Sequence, residues 1–297
     1  MEYVRIHGEF PRLVNCAVTL GKFDGLHRGH RKLVEKILEK KQEGAQAVLF
    51  AFEASSQMVL SREERKSVLE DLGVDVLLEC PLDEKMRHMK AETFVREILV
   101  GDLQVSHVAV GEDFRFGFER KGDPRLLTEM GKKYGFSVSV LSKETDGHRK
   151  ISSTYIREEL KHGNMEKVTD LLEMDFLVSG VVEHGRGMGH KVLFPTANIR
   201  PAKEKLMPPN GVYITVSRFG NRWLPGITNV GYKPTVGEKF LGVETYLFDC
   251  QEDLYGQPCT VYFKKFLRPE QKFTSFEALK ARIGLDAEIG KKYFESR

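Results

Sequence analysis

The chain has few cysteines, no long apolar run and almost no excess of either charge. Its four cysteines, in 297 residues, form neither a C-x-x-C pair nor an evenly spaced framework, which argues against a disulfide scaffold. No apolar run approaches the roughly 18 residues of a membrane helix. The balance of 46 basic and 43 acidic residues gives no sign of a nucleic-acid or membrane surface. Since we also find no secretory signal, we expect a reduced cytoplasm.

The length allows two domains with separate cores. The first 150 residues alternate apolar strands with amphipathic helices, which predicts an open parallel sheet with helices on both faces. The predicted strands are 17–20, 47–52, 74–78, 107–110 and 137–141, and the predicted helices are 31–41, 62–72, 91–100 and 123–134. Ligands of such a sheet bind beyond the carboxyl ends of its strands.

After residue 172 the pattern changes to short strands separated by Gly, Pro and Asn. The predicted strands are 177–182, 212–218, 223–230, 242–248 and 260–266, followed by a helix from residue 276. Such strands predict a small antiparallel barrel or sandwich. We therefore expect domains at 1–173 and 174–297.

The most informative segment is GKFDGLHRGH at residues 21–30. It follows a predicted strand and opens a predicted helix, and a Gly-rich turn at such a position typically seats phosphate. His27 and His30 can donate to phosphate oxygens there without a permanent charge. Two alternatives are a metal pair, which lacks a third ligand nearby, and a turn whose histidines only cap the helix.

Two further segments bear on chemistry. In GEDFRFG, residues 111–117, the aromatic rings could stack on a flat ligand or fold back into the core. In ISSTYIR, residues 151–157, Ser and Thr are placed to begin a helix, and helix capping alone would explain them.

In the second half, GRGMGHKVLFPTAN at residues 185–198 matches neither a P-loop nor a dinucleotide fingerprint. Its glycines still allow a flap close to phosphates. Thr196 and Asn198, in a turn that Pro195 would stiffen, offer oxygen ligands suited to Mg²⁺. Glu244, inside an apolar strand, points either to solvent by alternation or into a site.

The ordered set GKFDGLHRGH, GEDFRFG, ISSTYIR, FPTAN, NGVY, GYKPT, VETYLFD and LRPEQKF spans nearly the whole chain. Through this ordered set of motifs, the chain resembles the bacterial bifunctional riboflavin kinases and FAD synthetases. The resemblance implies a Rossmann-like α/β nucleotidyltransferase domain with FMN adenylyltransferase activity, followed by a small antiparallel β-barrel with riboflavin kinase activity.

For the first domain, the resemblance implies that His27 and His30 act on the ATP phosphates, with Arg157 holding the triphosphate from the opposite side. The other implied nucleotide-binding residues are Gly21, Phe23, Asp24, Gly25, Ser152, Ser153 and Thr154. The implied flavin-binding residues of this domain are Asp113, Phe114, Arg115 and Phe116.

For the second domain, the resemblance implies MgATP under a flap that includes Gly185, Gly187 and Gly189. Thr196 and Asn198 would contact the metal and the phosphates. Glu244 would be the base that takes the proton of the riboflavin hydroxyl, and Arg268 would border the flavin. The implied substrates and products are riboflavin, FMN, FAD, ATP, ADP and pyrophosphate, with no nucleic acid or membrane as partner.

The chain departs from the family pattern at residues 54–56, where Ala-Ser-Ser replaces Pro-His-Pro. This change leaves two alternatives open. One is a riboflavin kinase whose adenylyltransferase domain has degenerated, and the other is a flavin-binding regulator without catalysis.

Overall fold

A computed structural model describes residues 1–53, 57–184, 196–234, 239–250 and 252–296. The chain divides into two compact units. The first comprises Met1–Ser56 and Arg65–Ser152, and the second comprises Gln57–Glu64 and Ser153–Arg297. The short segment 57–64 thus belongs to the second unit although its neighbours in sequence belong to the first. The expected boundary between functional domains at residue 173 stays a prediction.

The first unit contains a parallel sheet, as predicted. Its strands are β1 (Glu2–Arg5), β2 (Cys16–Gly21), β3 (Gln46–Phe52), β4 (Val76–Cys80), β5 (Val105–Gly111) and β6 (Ser137–Leu141), in the order β1-β4-β3-β2-β5-β6. Its helices are α1 (Arg28–Gln42), α2 (Arg62–Asp71, whose first three residues lie in the second unit), α3 (Glu84–His88), α4 (Ala91–Thr93) and α5 (Pro124–Tyr134). A short 3₁₀ helix spans Phe118–Arg120.

The central strands β2, β3 and β4 are buried over almost their whole length. Burial on both faces explains their nearly continuous apolar sequences, because helices cover both faces of such a sheet. The strand order reverses between β2 and β5, which are adjacent and parallel. The loops that follow these two strands, at residues 21–27 and 111–117, therefore flank the crevice where open α/β sheets bind ligands.

The helix predicted at 91–100 differs from the structure. Only the short α4 is α-helical, and it continues as a π-helix, Phe94–Asp102, that buries Phe94, Val95, Ile98 and Leu99. The strand β1 and the helix α3 were not predicted, since β1 has no clear alternation and α3 has no buried residue.

The second unit contains α6 (Ser153–Lys161), α7 (Met165–Leu172) and α8 (Phe276–Glu295). Its strands are β7 (Phe176–Val181), β8 (Thr196–Ile199), β9 (Gly211–Phe219), β10 (Arg222–Pro234), β11 (Lys239–Leu247) and β12 (Pro258–Pro269). They form one antiparallel sheet in the order β7-β12-β9-β10-β11-β8. A bridge between Glu183, just after β7, and Asn198 of β8 brings the two edges together, so the sheet curls into a partly closed barrel.

Hydroxyl side chains occupy the inside of this sheet. Thr228 exchanges hydrogen bonds of 2.7 and 2.8 Å with Thr215 and Thr245, one on each neighbouring strand. All three are fully buried. On the other face, α8 packs through Ala287 against Val212, Ile227 and Phe248.

Candidate functional site

The turn at residues 21–27 has a strained backbone held by burial. Phe23 and Leu26 have φ values of 49° and 48°, in the left-handed region that side chains rarely adopt, and both side chains are fully buried. Gly25, at φ 87°, lies between them. Burial of the two side chains stabilises a conformation that would otherwise be costly, as often happens at functional sites.

His27 is the N-cap of α1. Its Nδ1 accepts a hydrogen bond of 3.3 Å from the His30 backbone N–H. The two imidazole rings stack with centroids 3.6 Å apart and planes inclined by 13°, and the Phe23 ring lies 4.9 Å from that of His30. Because His27 uses Nδ1 as an acceptor, its neutral ring carries the proton on Nε2.

Burial lowers the pKa of His27 to about 4, with a smaller lowering from the charge of Lys143. Burial also lowers the pKa of His30 well below its ordinary value, and His27 adds to this effect. Both rings are therefore neutral near pH 7. They lie at the amino end of α1, where backbone N–H groups and the helix dipole favour an anion.

The arrangement disagrees with a metal pair. The rings are stacked, so their nitrogens do not converge on one point, and His27 Nδ1 is already occupied. Within the described residues, no group of three or more His, Cys, Asp or Glu side chains could hold a metal ion. The capping role that the sequence left open is confirmed for His27.

The loop at residues 111–117 lies beside this turn, after the adjacent strand β5. Phe116 is in the core, at 5% exposure, and stacks on the partly exposed Phe114 with centroids 5.5 Å apart. The core alternative is thus confirmed for Phe116. The exposed Asp113 pairs with Lys143 at 2.6 Å, and Arg115 donates to the Phe114 carbonyl.

A glycine fixes this loop. A Cβ on Gly117, which has φ 72°, would lie 2.7 Å from the backbone of Ala91, and the Phe118 N–H donates to the Met89 carbonyl. The loop therefore docks closely on the start of α4, with Phe116 against Phe94 of the π-helix.

The ISSTYIR residues fall on both sides of the division between the units. Ser152 ends the first unit, whereas Ser153, Thr154 and Arg157 lie on α6 in the second. Arg157 donates through Nη2 to the carbonyl of Gln57, which belongs to the same unit.

In the second unit, strand register brings three predicted residues together. Asn198 of β8 lies directly opposite Glu244 of β11, and Thr196 is on the same side two residues earlier. The Thr196 hydroxyl donates to Glu244 Oε1 at 2.9 Å, and Asn198 Nδ2 is 3.4 Å from Thr196 Oγ1. The expected turn at Thr196 and Asn198 is wrong, because both residues lie in a strand. The two-residue period of that strand is what aligns them.

The donor set here suits Mg²⁺. The Thr196 hydroxyl and the Asn198 side-chain amide offer the hard oxygen ligands that this ion prefers, and few protein ligands suffice because it keeps several waters. Gly185, Gly187 and Gly189 of the predicted flap, and the changed residues 54–56, lie outside the described residues.

Arg268 has a structural partner. It is buried and donates to Asp286 of α8 through Nε, at 2.9 and 3.1 Å, and through Nη2, at 2.6 Å. Its Nη1 donates to the Pro269 carbonyl. This bidentate pair attaches α8 to β12, and the role of Arg268 beside the flavin stays a prediction.

One residue near the first site was missed by sequence reasoning. Arg65, at 1% exposure, pairs with the equally buried Glu79 of β4 at 2.6 Å, and its Nη1 lies 3.5 Å from the Lys22 carbonyl in the turn. An Arg on an amphipathic helix gives no sign of burial, so the sequence held no signal for this pair.

Two family models match this chain, in different parts of it. A family model described as FAD synthetase matches residues 10–155, and one described as riboflavin kinase matches residues 172–294. A protein of Escherichia coli strain K12 named bifunctional riboflavin kinase/FMN adenylyltransferase is 36% identical over 94% of this chain and 93% of its own length. The chain belongs to this family.

Other relatives of the same name agree with this assignment. The one from Pseudomonas fluorescens is 36% identical over 96% of each chain, and the one from Haemophilus influenzae is 31% identical over the full length of both. A solved structure from Streptococcus pneumoniae, described as a macrolide-efflux protein, has a TM-score of 0.85 and 25% identity, and covers 98% of this chain and 99% of that one. In the described part of this chain, no helix has the length and hydropathy of a membrane span.

Proposed function

We propose that the protein makes FMN from riboflavin and then FAD from FMN, using ATP in both steps. The observation that carries this proposal is that each family model covers one of two differently built halves, and each half contains a site of fitting chemistry. No observation favours a degenerate first domain or a non-catalytic regulator.

In FMN adenylylation, a phosphate oxygen of FMN attacks the α-phosphorus of ATP and pyrophosphate leaves. Negative charge builds up on the transferring and leaving oxygens, so positioned hydrogen-bond donors supply most of the catalysis. His27, held by its cap bond and by the stack on His30, presents a neutral N–H donor for this purpose. Gly21, Phe23, Asp24 and Gly25 shape the nucleotide site, and Ser152, Ser153, Thr154 and Arg157 bind the triphosphate.

The flavin of this step is received by the loop of Asp113, Phe114, Arg115 and Phe116. The partly exposed Phe114 offers a ring face, and the buried Phe116 beneath it keeps that ring in place.

In riboflavin phosphorylation, Glu244 accepts the proton of the terminal ribityl hydroxyl as this oxygen attacks the γ-phosphorus of ATP and ADP leaves. The hydrogen bond from Thr196 fixes the orientation of the Glu244 carboxylate. Thr196 and Asn198 would hold Mg²⁺, which when bound neutralises charge on the phosphates. All four cysteines are free thiols, which supports the proposed place in a reducing cytoplasm.

The test is to incubate the pure protein with riboflavin, ATP and Mg²⁺ and to separate the flavins by chromatography over time. We expect FMN to appear first and FAD to follow, with pyrophosphate released in the second step. A parallel reaction starts from FMN, so that adenylylation is measured without the kinase. If FMN forms from riboflavin but FAD appears in neither reaction, the adenylyltransferase activity is refuted. If no new flavin appears in either reaction, both activities are refuted.

A further inference from the structure

Lys205 is a buried cation whose partners lie on a distant part of the chain. It falls within the riboflavin kinase match at residues 172–294, and it is 2% exposed. Its ammonium donates to the Val59 carbonyl at 2.6 Å and to Glu64 Oε2 at 2.7 Å. The Phe176 ring, with its centroid 4.1 Å from the nitrogen, covers another side.

The segment 57–64, called the strap below, is held by the backbone around Lys205 as well. The Met58 N–H donates to the Glu204 carbonyl at 2.6 Å, and the Leu206 N–H donates to the Met58 carbonyl at 2.7 Å. These bonds form a parallel bridge between Met58 and Lys205. The strap is thereby part of the second unit.

Glu64 is the last residue of the strap, and its carboxylate holds that end in place by hydrogen bonds. Its Oε2 accepts from the Ser61 N–H at 2.8 Å while the Ser61 hydroxyl accepts from the Glu64 N–H, which is a capping box. Its Oε1 accepts from the Ser179 N–H of β7 at 2.9 Å. The carboxylate thus has hydrogen bonds from two backbone N–H groups and from Lys205.

Such a buried ion pair is a poor device for stability alone. Desolvation of the two charges offsets much of their attraction, and well-packed apolar side chains in place of both charged residues often stabilise a protein as well. What an apolar side chain cannot do is hold the Val59 carbonyl and the Glu64 carboxylate in fixed positions. The two hydrogen bonds of Lys205 hold Val59 and Glu64 of the strap at fixed distances from its ammonium group.

The strap begins at Gln57, and the Gln57 carbonyl accepts a hydrogen bond from Arg157 Nη2. Arg157 is one of the residues that bind the triphosphate in the proposed adenylyltransferase. We propose that Lys205 is a positioning residue for FMN adenylylation, acting through the strap on the Arg157 guanidinium. The inference rests on the proposed function of Arg157. It means that a residue within the kinase match supports the other reaction.

The test replaces Lys205 by Met, which keeps an unbranched apolar stem but loses the donors. FMN adenylylation and riboflavin phosphorylation are measured on the same preparation. We expect kcat/KM of adenylylation to fall about tenfold, with a raised KM for ATP, while phosphorylation stays within about twofold. An equal fall in both reactions, or no fall in adenylylation, would overturn the inference.

Lys264→Met is the matched control. Lys264 pairs with Asp175 in the same unit, and neither residue belongs to the strap. We expect this variant to leave the ratio of the two rates unchanged. A selective loss of adenylylation in Lys264→Met as well would also overturn the inference, because any lost ion pair would then have that effect.

Glu64→Gln is a second variant in case Lys205→Met does not fold. Gln keeps the shape of the side chain and one acceptor oxygen, but it replaces the other oxygen by an NH2 group and removes the charge that faces Lys205. We therefore expect the same selective loss. Arg157→Ala distinguishes a failure of the inference about Lys205 from a failure of the proposed role of Arg157. Slow adenylylation in Arg157→Ala with normal adenylylation in Lys205→Met refutes the role of Lys205 alone, whereas normal adenylylation in Arg157→Ala refutes the proposed role of Arg157 and the inference with it.

Discussion

His27 has two separable tasks, and a pair of substitutions distinguishes them. Its Nδ1 caps α1 by accepting from the His30 N–H at 3.3 Å, and its Nε2–H is the proposed donor to phosphate. Loss of a cap costs about 1 kcal/mol of stability, and Asn is among the best caps. Loss of one preorganised donor to a developing oxyanion lowers kcat about 10²- to 10³-fold. We therefore expect His27→Asn to be stable but slow, and His27→Ala to be equally slow and less stable.

The rate of FMN adenylylation is measured at saturating ATP from the release of pyrophosphate. The stability of each variant is measured by thermal unfolding. Asp83→Ala is the control, since Asp83 caps α3 in the same unit by accepting from the Met86 N–H at 2.8 Å. It should lose stability without losing rate. If His27→Asn adenylylates FMN within a few fold of the unchanged protein, the imidazole is only a cap and the proposed role in phosphate binding is refuted.

Further outcomes follow from other contacts. Glu244→Gln should abolish riboflavin phosphorylation and spare FMN adenylylation, measured with FMN as the starting flavin; loss of both reactions would refute two independent sites. Because burial lowers the pKa of His27 to about 4 from 6.5, the unfolded chain binds a proton that the folded chain does not, so the free energy of unfolding should fall by about 3 kcal/mol as the pH falls from 6.5 to 4. In denaturant titrations, His27→Asn should make the free energy of unfolding less dependent on pH. An unchanged pH dependence would contradict the buried, neutral state of His27. Gly226→Ala should destabilise the barrel by about 2 kcal/mol or more, since its Cβ would lie 2.4 Å from the Tyr246 carbonyl oxygen. A Cβ on Gly284 of α8 would instead lie in open space. Gly284→Ala should therefore stabilise the protein by up to about 1 kcal/mol in thermal unfolding.

Local pattern was enough for most of the fold. Five strands of the parallel sheet and five of the antiparallel sheet were predicted because buried strands have continuous or alternating apolar sequences. The strand β8 was missed because four residues after a proline resemble a turn. The π-helix was predicted as an ordinary helix, since both place apolar residues at similar spacing.

The candidate sites also combine local features, which the sequence shows, with strand register, which it does not. The sequence determined that His27 and His30 follow a strand and open a helix, because the strand, the glycines and the helix are all local. It also placed Thr196 and Asn198 two residues apart, but not opposite Glu244, since the register between β8 and β11 is set by the whole sheet.

The buried ion pairs were decided by tertiary structure alone. Arg65 with Glu79, Arg268 with Asp286 and Lys205 with Glu64 join charged residues that are far apart in the chain or lie on different elements. In sequence each of these residues resembles an exposed charge on a helix, strand or loop. A charge becomes buried only when long-range packing brings a partner to it, and that partner cannot be read from the residues next to it.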